Sequence, residues 1–165
     1  EALYDLCFAP GREALSSYRL RDGVAPIQAL CLCLRDDTGA LAAVIRYWPV
    51  RVGGRPVLLL GPVAVHPTRQ GEGLGAYLIH ESLRIARSLG WARVLLVGDA
   101  PYYGPLGFQP IPRGQLTMPR PVDPARLLAA ELRQGTVAML QGEMRHAAIV
   151  PVADSPQRPR RAAAG

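Results

Sequence analysis

A chain of 165 residues with 49% hydrophobic and 19% charged residues suits one soluble globular domain and excludes a disordered or low-complexity class. No apolar run approaches the ~20 residues that cross a bilayer. The acidic opening EALYDLCFAP does not read as a signal peptide, so a cytoplasmic protein with no membrane partner is expected. Net charge is +6 and every one of the 19 basic residues is Arg; without Lys there is neither a G-x-x-x-x-G-K-[ST] phosphate loop nor a Schiff-base lysine.

In chain order, residues 1–20 read as helical, broken at Pro10-Gly11. IQALCLCLR (27–35) reads as a strand, DDTG (36–39) as a tight turn and ALAAVIRYW (40–48) as the returning strand of a hairpin. Cys7, Cys31 and Cys33 lack C-x-x-C spacing, so neither a disulfide framework nor a metal site is expected. Cys31 and Cys33 are expected to face the same side of a strand as small buried hydrophobes. After the turn VGG (52–54), PVLLLGPVAV (56–65) reads as a longer strand whose Gly61-Pro62 implies a bulge or an edge position.

Residues 73–89 make the strongest helix, with Leu74, Leu78, Ser82, Ile85 and Leu89 on one face and Gly90 as its stop. ARVLLV (92–97) is a short buried strand, and Asp99 is placed to N-cap a short helix from Ala100. GFQPI (107–111) could be a strand. After a Pro-rich passage (110–121), Asp123-Pro124 opens an expected helix ARLLAAEL, and GTVAML (135–140) is an expected last strand. The Pro/Arg/Ala-rich tail 151–165 is expected to lie outside a single domain of residues 1–150. Strand 56–65, helix and strand 92–97 form a crossover, which makes those strands parallel with a right-handed connection. The remainder is meander, giving a mixed α/β sheet.

HPTRQGEGLGAYL (66–78) holds three glycines at the start of the strongest helix. A helix N-terminus carries orphan N–H groups and partial positive charge, and preceding glycines let a phosphate approach the backbone. Arg69 adds charge nearby, while Glu72 must point outward. GEGLGA also satisfies the dinucleotide pattern G-x-G-x-x-[GA]. In that fold the strand runs straight into the glycines, whereas here HPTRQ intervenes.

VAVHPTRQGEGLGAYLI resembles the central motif of the GNAT superfamily of N-acetyltransferases, [QR]-x-x-G-x-[GA], with Gln70, Gly73 and Gly75 at the defining positions and Val65 and Pro67 matching the preceding V-x-P. DAPYYGPLGFQP resembles the family's Y-x-x-x-G-F element, with Tyr103 four residues before Gly107-Phe108. The resemblance covers residues 1–140. It implies a mixed, mostly antiparallel sheet with two splayed parallel strands, 56–65 and 92–97, and acetyl-CoA bound in the cleft between them. It implies that backbone N–H groups of Gln70, Gly71, Glu72, Gly73, Leu74, Gly75 and Ala76 hold the pyrophosphate. Val63, Ala64 and Val65 would present backbone groups to the pantetheine arm, with Gly61-Pro62 helping the strand diverge. The family's first strand is not evident before Glu1, and Asp99 stands where many members carry Asn.

The implied reaction moves acetyl from the thioester to a primary amine. Val65 N–H would stabilise the oxyanion, and Tyr103, with a pKa of ~10 when unperturbed, would act as general acid toward the thiolate. Tyr102 is read as packing or lining the CoA site. His66, Glu72, His80 and His146 are the side chains weighed as base, and none is chosen. The acceptor is expected to be a small-molecule or peptide amine, contacted by the N-terminal helices, 46–50 with Trp48, and 110–121. The alternative is a GNAT-like module that binds acyl-CoA without turnover. Nucleic acid is not expected as a partner, and strand 135–140 could mediate a homodimer.

Overall fold

A computed structural model describes residues 2–7 and 20–147. Of the expected helix over 12–20 only Leu20, in a turn, is described, and the tail from 151 lies outside the described residues. In chain order the elements are α1 (Ala2–Cys7), β1 (Leu32–Arg35), β2 (Leu41–Val52), β3 (Arg55–Val65), α2 (Leu74–Ser88), β4 (Arg93–Val97), α3 (Ala100–Tyr103), β5 (Gln109–Pro110), β6 (Leu116–Thr117), β7 (Leu127–Glu131) and β8 (Gly142–His146). The strands form one sheet in the order β5-β7-β4-β3-β2-β8-β6, and β1 pairs with the N-terminal half of β2. β3 and β4 are parallel neighbours and most of the remaining pairs are antiparallel, which is the mixed sheet expected.

Alternation along the strands divides the core into two layers. Ile45, Tyr47, Leu58, Leu60, Val94 and Leu96 pack under α2, while Val50, Val57, Leu59, Leu95 and Leu127 form the opposite layer. In the α2 layer the buried Ser82 hydroxyl donates to the Ile79 carbonyl at 2.9 Å. Its single proton being used, Tyr47 OH, 2.7 Å away, donates to Ser82 Oγ. The buried stripe of α2 is Gly75, Leu78, Ile79, Ser82, Leu83 and Ala86, whereas Leu89 is exposed. Leu74 and Ile85 of the expected stripe are partly buried against the same core, and Leu89 falls at the C-cap, past the last helical residue.

Three expectations are corrected near the C-terminus. Asp123 does open a helical turn, its carboxylate accepting from Ala125 N–H, but the turn ends at Arg126 and 127–131 is a strand. Leu127, Leu128, Ala129 and Ala130 are all buried because β7 sits inside the sheet between β4 and β5, and a short apolar run covered on both faces has no periodicity that distinguishes strand from helix. Residues 135–140 form turns rather than a strand. Glu131 accepts from the N–H groups of Gly135 and Val137, and Arg93 donates to the Thr136 carbonyl, so side chains take the groups a ladder would need. The last strand is β8, paired with β2, which removes the strand invoked for a dimer.

At the N-terminal end, 28–30 is a 3-10 turn and only 32–35 is strand. Cys31 thus precedes the strand, its thiol donating to the Ile27 carbonyl, and Cys33 is exposed; the pair is not buried as expected. Of 107–111 only Gln109–Pro110 is strand. No described helix is long and apolar enough to cross a membrane.

Candidate active site

β3 and β4 pair through only Leu58–Val94 and Leu59–Leu95. Beyond these residues β3 stays with β2 as far as Val65 and β4 stays with β7 as far as Val97, so a gap opens between the two parallel strands. The β2–β3 register shifts between Ile45 and Tyr47, which places Gly61-Pro62 opposite Arg46 alone. This is the bulge read from the sequence. It also resets the alternation. Leu58 and Leu60 face α2, and past the bulge Val63 and Val65 face it instead.

Glycine at 61 is a packing requirement, because a Cβ there would enter the Trp48 ring and lie 2.9 Å from the Arg46 carbonyl. His66 N–H bonds the Ala42 carbonyl, so by antiparallel alternation the backbone groups of Ala64 also face β2. Those of Val63 and Val65 face the gap. The Val65 carbonyl accepts there from the thiol of Cys7 at 3.3 Å. Ala64 is buried on the far face against Leu3 and Tyr4 of α1.

The glycine loop reaches α2 after a 3-10 turn at Pro67–Arg69 that the His66 ring caps by accepting from Thr68 N–H. Gly71 and Gly73 have φ of +86° and +79°, a region that L side chains rarely adopt. Gly75 is helical, and its lack of a side chain provides room: a Cβ would meet Tyr102 OH at 2.7 Å and lie within 3.8 Å of the Val63 and Val65 methyls. Gly73 is the N-cap with no side-chain cap, and the first turn carries no acid, so the N–H groups of Leu74, Gly75 and Ala76 are available to an anion. Glu72 points away and is bonded to Arg69 Nε at 2.8 Å, with Asp36 3.9 Å from the same guanidinium. These acids offset much of the charge that Arg69 was expected to add, and the Arg69 contact holds the exposed Glu72 carboxyl below its ordinary range.

α3 brings two tyrosines to the same place. The Tyr103 ring packs edge-on to Tyr102 and to Phe108, and it lies where a side chain on Gly98 would be. Burial, with Tyr102 and Asp99 adding to it, pushes the Tyr103 phenol up to about 12. Asp99 occupies the N-cap position of α3 but makes no cap bond with its side chain; its exposed carboxylate pairs with Arg126 at 3.2 Å. The expected carboxylate cap is thus replaced by an ion pair to the segment before β7.

One cleft of about 480 Å³ is lined by Val63, Val65, Arg69, Gln70, Gly71, Gly73, Leu74, Gly75, Ala76, Tyr102 and Tyr103. The expected site residues outside its lining are Ala64 and Glu72. Among the described residues its lining contains no carboxylate and no His; His80 is exposed on α2, and the side chain of His146 lies outside the described residues. Sequence reasoning missed Gly98, which makes room for the Tyr103 ring; its only signal was a glycine between a buried strand and a pair of tyrosines. Tyr102, left between packing and lining, lines the cleft. Among the described residues no group of three or more His, Cys, Asp or Glu could hold a metal ion.

Residues 1–108 match the Acetyltransferase (GNAT) family. An uncharacterised N-acetyltransferase of Escherichia coli, YhbS, is 32% identical over 112 residues, covering 66% of this chain and 65% of the relative, so the match spans just under two thirds of that protein. The crystal structure of YhbS in complex with CoA superposes with a TM-score of 0.74 at 26% identity, covering 88% of this chain and 81% of that one. A GNAT acetyltransferase of Brucella melitensis in complex with acetyl-CoA gives 0.61 at 30% identity, covering 91% and 86%. With the family match spanning most of the chain, and a mixed sheet that superposes on the YhbS structure, the chain belongs to the GNAT acetyltransferase family.

Proposed function

We propose that the protein is an acetyl-CoA-dependent N-acetyltransferase that acts by direct attack of a primary amine on the thioester. The observation that carries this reading is the convergence on one cleft of the Val63 and Val65 backbone that β4 leaves without a strand partner, the uncapped N-terminus of α2 and Tyr103. The N–H groups from Gln70 to Ala76 hold the pyrophosphate, with Gly71 and Gly73 setting the backbone curvature and Gly75 the clearance. Val63 and Val65 pair with the pantetheine arm as a neighbouring strand would, while Ala64 serves the ladder to β2. Val65 N–H is the donor to the oxyanion that develops on the carbonyl oxygen.

Tyr103 serves the leaving sulfur. With its pKa near 12 it keeps its proton throughout the working range. Full transfer to a thiolate, whose unperturbed pKa of ~8.5 lies below that of the phenol, would be uphill. Its first contribution is therefore a hydrogen bond to sulfur as the C–S bond lengthens. The proton that ends on sulfur is balanced by the one the nitrogen loses on forming the amide, so amine plus thioester gives amide plus thiol. Among the described residues no side chain of the cleft lining can act as base, and the amine attacks as its neutral form or loses its proton to water.

The test is thiol release from acetyl-CoA against an amine panel, with CoA binding measured by calorimetry. Tyr103→Phe is expected to lower kcat by about a hundred-fold or more while leaving CoA affinity within about two-fold. Unchanged kcat in the variant would remove the role assigned to Tyr103. CoA binding without thiol release for any amine would favour a non-catalytic acyl-CoA-binding module.

A further inference from the structure

The Pro-rich passage between β5 and β7 folds into a second pocket of about 300 Å³. Its wall is apolar: Ile111, Leu116, Met118 and Leu127 line it, and all four belong to or pack on the core layer opposite α2. Two guanidiniums, Arg113 and Arg120, stand exposed at its rim, and among the described residues no acidic residue lines it. Leu127 is also the cross-strand partner of Val97, the last residue of β4. Adjacent strands lie about 4.8 Å apart, so the pocket begins one strand from the gap between β3 and β4. The cleft described above opens on the α2 side of that gap, and this pocket opens on the other.

Resting on the acetyltransferase reading, we propose that this pocket receives the acceptor, and that the acceptor is a small primary amine with a carboxylate on an apolar body, of the kind an apolar α-amino acid presents. The volume is that of a small-ligand site. The apolar wall takes the body, and the fork of Arg113 matches a carboxylate in a way no neutral rim could. An amine lacking the carboxylate leaves this guanidinium without a partner. An amine with a second positive charge meets the Arg113 guanidinium where a carboxylate would sit.

The experiment compares leucine, methionine and phenylalanine with leucinamide and 3-methylbutylamine as acceptors, using the full chain and acetyl-CoA. Calorimetry with CoA is run alongside. In parallel, protein labelled with ¹³C at the methionine methyls is titrated with leucine and with leucinamide. At least one amino acid should exceed its carboxylate-free counterparts by about ten-fold or more in kcat/KM. Arg113→Gln should remove most of that difference through KM, with CoA affinity unchanged. The Met118 methyl signal should move with leucine and not with leucinamide. The proposal is overturned if the neutral or carboxylate-free amines are equally good, or if Arg113→Gln leaves KM for the amino acid unchanged. It is also overturned if no amino acid is acetylated and Met118 does not respond. Loss of the acetyltransferase reading has a different signature, namely no CoA binding, and the methionine titration still tests the pocket in that case.

Discussion

Gly75→Ala separates what the glycine loop does for the fold from what it does for a ligand. The added Cβ would lie 2.7 Å from Tyr102 OH, 3.5 Å from Val65 Cγ2 and 3.8 Å from Val63 Cγ1. The two valine contacts are ordinary packing. Only the phenol must move, and it is the far end of a side chain that is half exposed. In a helix alanine is favoured over glycine by up to about 1 kcal/mol, which offsets the displacement of Tyr102. Stability should therefore change by less than about 1 kcal/mol, or within roughly 4 °C in Tm for a domain of this size. The new methyl nevertheless projects into the cleft, at the second N–H of an uncapped helix. Loss of one hydrogen bond to a charged group costs about 1.5–3 kcal/mol, which predicts CoA binding about 10- to 150-fold weaker by calorimetry. Equal CoA affinity in a variant of unchanged Tm would refute the placement of the pyrophosphate against this turn. A large fall in Tm would refute the claim that Tyr102 yields.

The same comparison at Gly61 should come out the other way. A Cβ there enters the packed Trp48 ring and approaches the Arg46 carbonyl, neither of which is a loose end, so Gly61→Ala should cost about 1–3 kcal/mol in thermal or urea unfolding. Alkaline pH provides a separate check on Tyr103. Burial raises its pKa from 10.0 to about 12 in the folded chain. The unfolded phenol therefore ionises first, and stability is fully present below pH 10 and falls as pH rises toward 12. Tyr103→Phe should flatten that fall by about 2–3 kcal/mol at most, with Tyr47, Tyr102, Cys7 and Cys31, all raised chiefly by burial, contributing to the remainder. An alkaline limb unchanged in Tyr103→Phe would show that the phenol is not buried as described.

Much of the site was legible because it is encoded locally. Gly71 and Gly73 are needed for left-handed backbone, and a crossover from strand to helix to strand imposes parallel neighbours whatever surrounds it. Gly61-Pro62 announced a bulge because neither residue belongs inside a paired strand. Where two elements answer to distant partners, the sequence misled. LLAA at 127–130 became a strand because β4 and β5 flank it, and 135–140 became turns because Arg93 and Glu131 take its backbone groups from across the chain.

The residues by themselves determined where the backbone could curve, where a helix had to begin and which loop could meet an anion, since these depend on φ, hydrogen-bonding capacity and side-chain volume at single positions. Only the tertiary structure decided which amides are left over. Val63 and Val65 face an open gap and Ala64 does not, because β2 takes alternate residues on one side of β3 while β4 leaves with β7 after two pairs. The pKa of Tyr103 is tertiary for the same reason: its rise comes first from burial against the core layer under α2, which no local pattern in the sequence encodes.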